Sequence, residues 1–277
     1  MLIKAFALAG CLALAMMLLP MLCGARAVVD QAGRRVVVPE RPQRVVSLAP
    51  SITEVVYALG RQDLLKGTTQ YSDDPPEAKS LPRVGSYVRL DVEKIVALKP
   101  DLCLAIKDGN PLHTVTRLEE LGIPVYVVDP RNLAGIIKMI IGLGEVMGAT
   151  ESANLIITEM RARAERIAAR LGPAPSRPRV FFQIDASPIV SAGRGTFIDE
   201  LITLAGGRNL AGGSEGYPRF GWEELLRLDP EVAIVASMAG GFSPAELKAG
   251  WQKWPQLAAV KNRRLYVIDA RLVDRPT

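Results

Sequence analysis

The stretch Arg44-Val-Val-Ser-Leu-Ala-Pro-Ser-Ile-Thr-Glu-Val-Val-Tyr-Ala-Leu-Gly60 decides the fold of this chain. Its first part, from Val45 to Ala49, is a short apolar run, which predicts a buried strand. Ser51, with Glu54 three residues later, predicts a capping box at the start of a helix, and Gly60 predicts where that helix ends. A buried strand followed directly by a helix is the repeating unit of a parallel, helix-covered sheet.

The same unit recurs along the chain in two groups, which predicts two α/β lobes. Each group alternates short apolar runs with helical patterns and has glycine or proline at the boundaries. We predict strands over residues 102–106, 124–128, 179–184, 232–236 and 265–269, and helices over residues 93–98, 114–121, 196–205 and 222–228.

Two longer helical patterns, over residues 132–147 and 150–171, lie between the groups. The second would be ~30 Å long at about 1.5 Å per residue, enough to connect two lobes. Its predicted apolar stripe consists of Leu155, Ile156, Met160, Ala164, Ile167 and Leu171. We therefore predict an N-terminal α/β lobe over residues 28–149, a single long backbone helix over 150–171, a C-terminal α/β lobe over 172–277, and a cleft between the lobes.

The first 27 residues have the pattern of a cleaved secretory signal. A positive start at Lys4 precedes an apolar run, and Ala25 and Ala27 are small residues at the positions that a signal peptidase reads. A retained membrane anchor is an alternative, and lipidation at Cys11 or Cys23 is another that the flanking residues favour less. Export places the mature chain in the periplasm.

Composition excludes several classes of function. The chain has 277 residues with 49% hydrophobic and 23% charged content, which is typical of a folded globular protein. The net charge of +5 is too small and too dispersed to predict nucleic-acid binding. His113 is the single histidine, and Cys103 is the one cysteine after the predicted cleavage site. We predict no metal site of the chain's own, no disulfide and no catalytic nucleophile, with Cys103 buried in a strand.

Three runs carry a family resemblance. These are the stretch quoted above, Gln70-Tyr-Ser-Asp-Asp-Pro-Pro76, and Asp91-Val-Glu-Lys-Ile-Val-Ala-Leu-Lys-Pro-Asp-Leu102. They resemble the periplasmic binding proteins of metal-chelate ABC importers, and within that family they look most like the cobalamin-binding branch. The resemblance continues through Arg179-Val-Phe-Phe-Gln183, the segment from Gly193 to Gly207 and the segment from Trp222 to Pro230, so it covers essentially the mature chain in order. It implies the helical-backbone fold, a monomer, and delivery of a small metal chelate to a membrane permease.

The resemblance also implies the ligand-binding residues. Tyr71, Tyr87 and Tyr217 fall where the cobalamin-binding branch has aromatic pocket residues. The expected ligand is cobalamin or a related corrinoid, which is carried as cargo, so no resident cofactor is expected. Haem or a ferric siderophore remains an alternative, and for the anionic siderophores the nearby candidate cations are Arg89, Lys107, Arg194 and Arg219.

Two glutamates match the positions at which this family docks on its permease. They are Glu93 and Glu223, with Glu224 as the neighbouring competitor for the second position. An alternative of another class is a periplasmic chelatase-like enzyme, which would need a general base or metal ligands in the cleft. His113 alone does not supply them, so we predict no enzyme. The resemblance further implies a C-terminal helix beyond Thr277, so we expect a shortened end.

Overall fold

Parallel strand–helix units build both halves of the chain, as the sequence predicts. The computed structural model describes residues 24–171, 177–236 and 243–273. The predicted signal segment therefore lies outside the described residues except for its last four. Ala25 to Ala27 pair with Val37 to Pro39 in the first hairpin, and cleavage after Ala27 would leave Val28 and Val29 in that strand.

The N-terminal lobe contains eight short strands and four helices among the residues described. They are β1 Ala25–Val29, β2 Arg35–Pro39, β3 Val45–Ser47, α1 Pro50–Ala58, β4 Leu65–Gly67, β5 Gly85–Ser86, β6 Arg89–Leu90, α2 Val92–Ala97, β7 Leu102–Ile106, α3 Leu112–Glu120, β8 Val125–Val128 and α4 Leu133–Val146.

Four of these strands form one parallel sheet in the order β4-β3-β7-β8, with helices on both faces. Strand β7 is buried along its whole length. Leu102, Leu104 and Ile106 face the core under α1 and α4, whereas Cys103 and Ala105 face α2 and α3. Burial on both faces explains why the strand has an uninterrupted apolar sequence.

The C-terminal lobe is built on a mixed sheet. Its elements are β9 Arg179–Ala186, β10 Ile189–Ser191, α6 Phe197–Leu204, β11 Arg208–Asn209, β12 Arg219–Phe220, α7 Trp222–Leu228, β13 Val232–Val235, α8 Pro244–Gln252, α9 Ala258–Lys261 and β14 Leu265–Val267. The strand order is β12-β10-β9-β13-β14, with β11 also paired to β9. Buried Trp251 packs beside Phe181 and donates from Nε1 to Gln183 Oε1 at 2.7 Å.

Helix α5, Thr150–Leu171, has the predicted bounds and connects the lobes. Its N-terminal half packs on α4, where a Cβ on Gly144 would lie 2.6 Å from the Cβ of Ala153. At its C-terminal end the side chain of Leu171 lies against Gly206 of the other lobe. The lobes also meet directly, because Glu200 accepts a 2.5 Å hydrogen bond from the amide of Leu133.

Two local predictions are wrong. The buried residues of α5 are Ala153 and Ile157, with Ile156 and Met160 packed on the core, while Leu155 is 69% exposed. The close crossing at Gly144 selects this face of the helix. Helix α1 begins at Pro50 with extended Ala49 as its N-cap and no side-chain cap, because proline suits the first helical position. Ser51 is buried inside the first turn.

Candidate functional site

The carboxyl edge of the N-terminal sheet carries two of the predicted tyrosines. Tyr71 lies in the loop after β4, and Tyr87 lies in the turn between β5 and β6. The amide of Gln70 donates to the carbonyl of Gly85 at 2.8 Å, so the two segments run side by side. The side chains of Tyr71 and Tyr87 are 53% and 37% exposed. Ligands of open α/β folds bind at this edge of the sheet, so the tyrosines occupy a suitable position.

A guanidinium group fastens the Tyr71 loop. Arg83 Nη1 donates to Thr68 Oγ1, to the carbonyl of Thr69 and to the carbonyl of Ser72, at 2.9, 2.7 and 2.9 Å. Its Nη2 forms an ion pair with Asp73 at 2.9 Å. The bonded groups lie on both sides of Tyr71, so Arg83 defines the path of that loop.

Buried hydroxyl groups lie beneath the same loop. Thr53 Oγ1 is 2.8 Å from Ser47 Oγ and 3.1 Å from Ser72 Oγ, and Thr69 Oγ1 is 2.8 Å from Ser72 Oγ. Because buried hydroxyls need hydrogen-bond partners, this network ties the loop to β3 and α1.

A second junction holds the Tyr87 turn. Asn110 follows β7, is only 8% exposed, and bonds to the backbone of three separate segments. One of those bonds, from Nδ2 to the carbonyl of Tyr87, is 2.7 Å long. Gly109, next to it, lies directly against the ring of Tyr87.

Tyr217 belongs to the C-terminal lobe. It lies in the loop between β11 and β12 and is 60% exposed. Partial burial of its hydroxyl, then the nearby charge of Asp108 and the phenol of Tyr87, raise the pKa of Tyr217 above its ordinary value. Because Asp108 and Tyr87 belong to the other lobe, this electrostatic influence on the pKa of Tyr217 acts between the lobes. A tyrosine phenol is protonated at neutral pH even at its ordinary pKa, so the hydroxyl of Tyr217 can donate a hydrogen bond.

The four candidate cations differ in whether they have a carboxylate partner. Lys107 Nζ lies 3.4 Å from Asp129, which also pairs with Arg131 at 2.8 Å. Arg194 pairs with Glu215 at 3.0 Å. Arg89 and Arg219 are exposed. Two of the four candidate cations therefore have a carboxylate partner, and both of these cationic side chains remain solvent-exposed.

The predicted docking glutamates are exposed, one on each lobe. Glu93 lies in the first turn of α2, beside an open apolar groove between α2 and α3 that Val96 and Leu121 help to line. Glu223 lies in the first turn of α7. The competitor, Glu224, is half-buried and lies 3.9 Å from Arg227, so Glu223 is the more accessible of the two carboxylates.

The described residues contain no group of three or more His, Cys, Asp and Glu side chains placed to hold a metal ion. His113 is exposed on α3. Cys103 is fully buried, and burial, followed by the charge of Asp101, raises the pKa of its thiol to about 12. The thiol is therefore neutral at physiological pH.

Sequence reasoning missed Arg83 and Asn110. Both act on backbone carbonyls of distant segments, and Asn110 is 62 residues from its partner Leu48. The available signal for Asn110 was the Gly109-Asn110 pair, which begins three residues after the end of a buried strand, since such pairs mark turns with special backbone geometry.

Comparisons with known proteins agree on one relationship. The family model described as periplasmic binding protein matches residues 45–272. The vitamin B12-binding protein of Vibrio cholerae is 32% identical over 241 residues, which is 86% of this chain and 85% of that protein. The crystal structure of the periplasmic vitamin B12 binding protein of Vibrio cholerae matches with a TM-score of 0.76 and 31% identity, covering 86% of this chain and 92% of that one.

Two further relatives broaden the comparison. An uncharacterized ABC transporter substrate-binding lipoprotein of Bacillus subtilis is 31% identical over 252 residues, covering 89% of this chain and 79% of that protein. A periplasmic heme binding protein of Pseudomonas aeruginosa matches with a TM-score of 0.75 and 30% identity, covering 84% and 86% of the two chains.

Proposed function

The chain belongs to the periplasmic binding protein family, and from that premise we propose that it captures cobalamin or a related corrinoid for an ABC importer. The observation that carries the proposal is the similarity, over most of both chains, to a relative named for vitamin B12 binding. The two-lobed α/β fold is common to this chain and that relative.

The tyrosines give this proposal a physical basis. A corrin ring is broad and partly apolar, with amide arms at its edge. Tyrosine offers a flat face for the ring and a hydroxyl for the amides. Tyr87 and Tyr217 belong to opposite lobes, and Tyr71 lies on the loop beside the Tyr87 turn. We therefore assign the three tyrosines as ligand contacts.

The paired charges favour a corrinoid over an anionic siderophore. Cyanocobalamin is neutral overall, whereas anionic ferric siderophores need several free cations. Lys107 and Arg194 each already have a carboxylate partner. A polyanion would compete with those carboxylates for the two cations.

Haem is the second candidate, because the Pseudomonas aeruginosa relative is named for heme binding. A tyrosine can ligate ferric haem as a phenolate.

We also assign Glu93 and Glu223 as the contacts with the membrane permease. One exposed carboxylate on each lobe would let basic residues of a partner engage both lobes at once. The groove beside Glu93 would accept an apolar side chain of the same partner.

The remaining parts of the proposal concern the location of the protein, its oligomeric state, its cofactor content and catalysis. We propose that the chain is exported to the periplasm, acts as a monomer without a resident cofactor, and carries out no catalysis. Membership of a binding-protein family supports this role. Among the residues described, no helix has both the length and the apolar character needed to span a bilayer.

Calorimetric titration of the purified protein with four ligands tests the proposal. We expect one-to-one binding of cyanocobalamin and of cobinamide, with weaker or absent heat for haemin and for a ferric catecholate siderophore. Tight binding of haemin with no heat from either corrinoid would replace the leading function with the second candidate.

A further inference from the structure

Asn110 uses its side chain to join three separate backbone segments. Its Oδ1 accepts from the amide of Ile106 at 2.8 Å, at the end of β7. Its Nδ2 donates to the carbonyl of Leu48 at 2.8 Å and to the carbonyl of Tyr87 at 2.7 Å. Both amide hydrogens and one acceptor site are thereby used inside a buried environment, which fixes the orientation of the side chain.

Gly109 supplies the second contact to the same tyrosine. A Cβ built on Gly109 would lie 2.7 Å from both Cδ2 and Cε2 of the Tyr87 ring. The ring therefore packs edge-on against the backbone of Gly109, closer than any side chain would permit. The backbone of Gly109 also has φ +131°, a region that favours glycine.

The Tyr87 turn has little structure of its own. Strands β5 and β6 contain two residues each, and within the turn the amide of Arg89 bonds to Ser86 Oγ at 3.1 Å. A two-stranded ribbon of this length does not hold a side chain in place without support. The amide of Gln70 supports the start of this ribbon at Gly85, and at Tyr87 itself the support comes from Asn110 at the carbonyl and Gly109 at the ring.

We propose that Asn110 and Gly109 are positioning residues that hold the ring of Tyr87 in the cleft before ligand arrives. The inference rests on the proposed function, since it assigns these two residues to the same ligand site. A ring that is fixed in advance loses little conformational freedom when ligand binds, so affinity rises without any direct contact from Asn110.

A double-mutant cycle separates positioning from a general structural role. Cyanocobalamin affinity is measured by calorimetry for Asn110→Ala, Tyr87→Ala and the double variant, with exposed Asn154→Ala as the matched control. We expect Tyr87→Ala to weaken binding roughly 5- to 150-fold. Asn110→Ala should produce most of that loss in the wild-type background and less than about a twofold loss in the Tyr87→Ala background. Equal losses in both backgrounds would overturn the proposal.

A second measurement needs no ligand, so it distinguishes failure of this inference from failure of the proposed function. The chain has six tyrosines, so 3-fluorotyrosine labelling gives six fluorine resonances, and Tyr87→Phe identifies the one from Tyr87. We expect this resonance to be displaced from that of free fluorotyrosine in the wild type and to approach the free value in Asn110→Ala. An unchanged resonance in a folded Asn110→Ala protein would refute positioning.

Gly109→Ala provides the test if Asn110→Ala does not fold. This variant keeps the Asn110 side chain and directs a methyl group at the ring, so the Tyr87 resonance should shift. Gly122→Ala is the control, because Gly122 also has positive φ (+78°) but no atom lies within 4 Å of its built Cβ. A Tyr87 resonance that moves equally in both glycine variants would contradict the role of Gly109.

Discussion

Gly142 offers a prediction whose size follows directly from a contact distance. A Cβ at this position in α4 would lie 2.2 Å from the hydroxyl oxygen of Tyr126, whereas ordinary contact begins at 3.4 Å. Tyr126 is 4% exposed on β8, so the ring has little space to move. Overpacking of this kind costs ~3 kcal/mol at the upper end of its usual range. Replacing a helical glycine by alanine recovers about 1 kcal/mol. Gly142→Ala should therefore lower the free energy of unfolding by ~2 kcal/mol.

Removal of the Tyr126 hydroxyl group should restore the stability of the Gly142→Ala protein. In Gly142→Ala/Tyr126→Phe the nearest ring atom, Cζ, is 3.2 Å from the added methyl carbon, which needs only a small shift. The double variant should regain most of the lost stability, giving a favourable coupling of ~2 kcal/mol in the cycle. The free energy of unfolding is measured by urea unfolding, followed by far-ultraviolet circular dichroism, which reports the loss of helices and strands in both lobes.

Gly250→Ala is the matched control for the Gly142 prediction. It makes the same change inside α8, where the nearest atom, on Trp222, is 4.0 Å from the built Cβ. Without a clash, it should raise stability by about 0.5–1 kcal/mol. A Gly142→Ala protein as stable as the wild type, or one that Tyr126→Phe fails to rescue, would refute the packing argument.

Three further predictions concern the site, the docking residues and the buried thiol. Tyr71→Ala and Tyr217→Ala should each weaken cyanocobalamin binding by roughly 5- to 150-fold in calorimetry, and unchanged affinity would remove that residue from the site. Glu93→Lys with Glu223→Lys should abolish most uptake in vesicles containing the permease while leaving ligand affinity within about twofold, because like charges would then oppose each other at both contacts. Unimpaired uptake would exclude the docking assignment. The thiol of Cys103, with its pKa raised to about 12, should not react with a disulfide reagent at pH 8 until urea unfolds the chain, and rapid labelling of the native mature protein would contradict its burial.

Much of the architecture could be predicted because local signals coincide with the boundaries. Strand β7 and helix α5 have the predicted bounds, Leu102–Ile106 and Thr150–Leu171. Pro100 lies two residues before the strand and Gly148 two residues before the helix, so the start of each element follows a residue that interrupts regular structure. Thr196 also caps α6 as its sequence suggests, accepting from the amide of Asp199 at 3.3 Å.

What could not be predicted depends on distant partners. The buried face of α5 follows from the close approach of Ala153 to Gly144, which periodicity alone does not specify. Asn110 and Arg83 bind backbone carbonyls whose positions exist only in the folded chain. The tyrosine positions came from the family resemblance, and the structure places Tyr71 and Tyr87 on neighbouring segments of the N-terminal lobe.

The central claim is that one corrinoid binds between the lobes, against tyrosines from both. A crystal structure of the mature protein grown with saturating cyanocobalamin tests it most directly. The account predicts one cobalamin per chain, with Tyr87 and Tyr217 in contact with the corrin from opposite sides. An empty cleft under those conditions, or cobalamin bound away from both tyrosines, would contradict it.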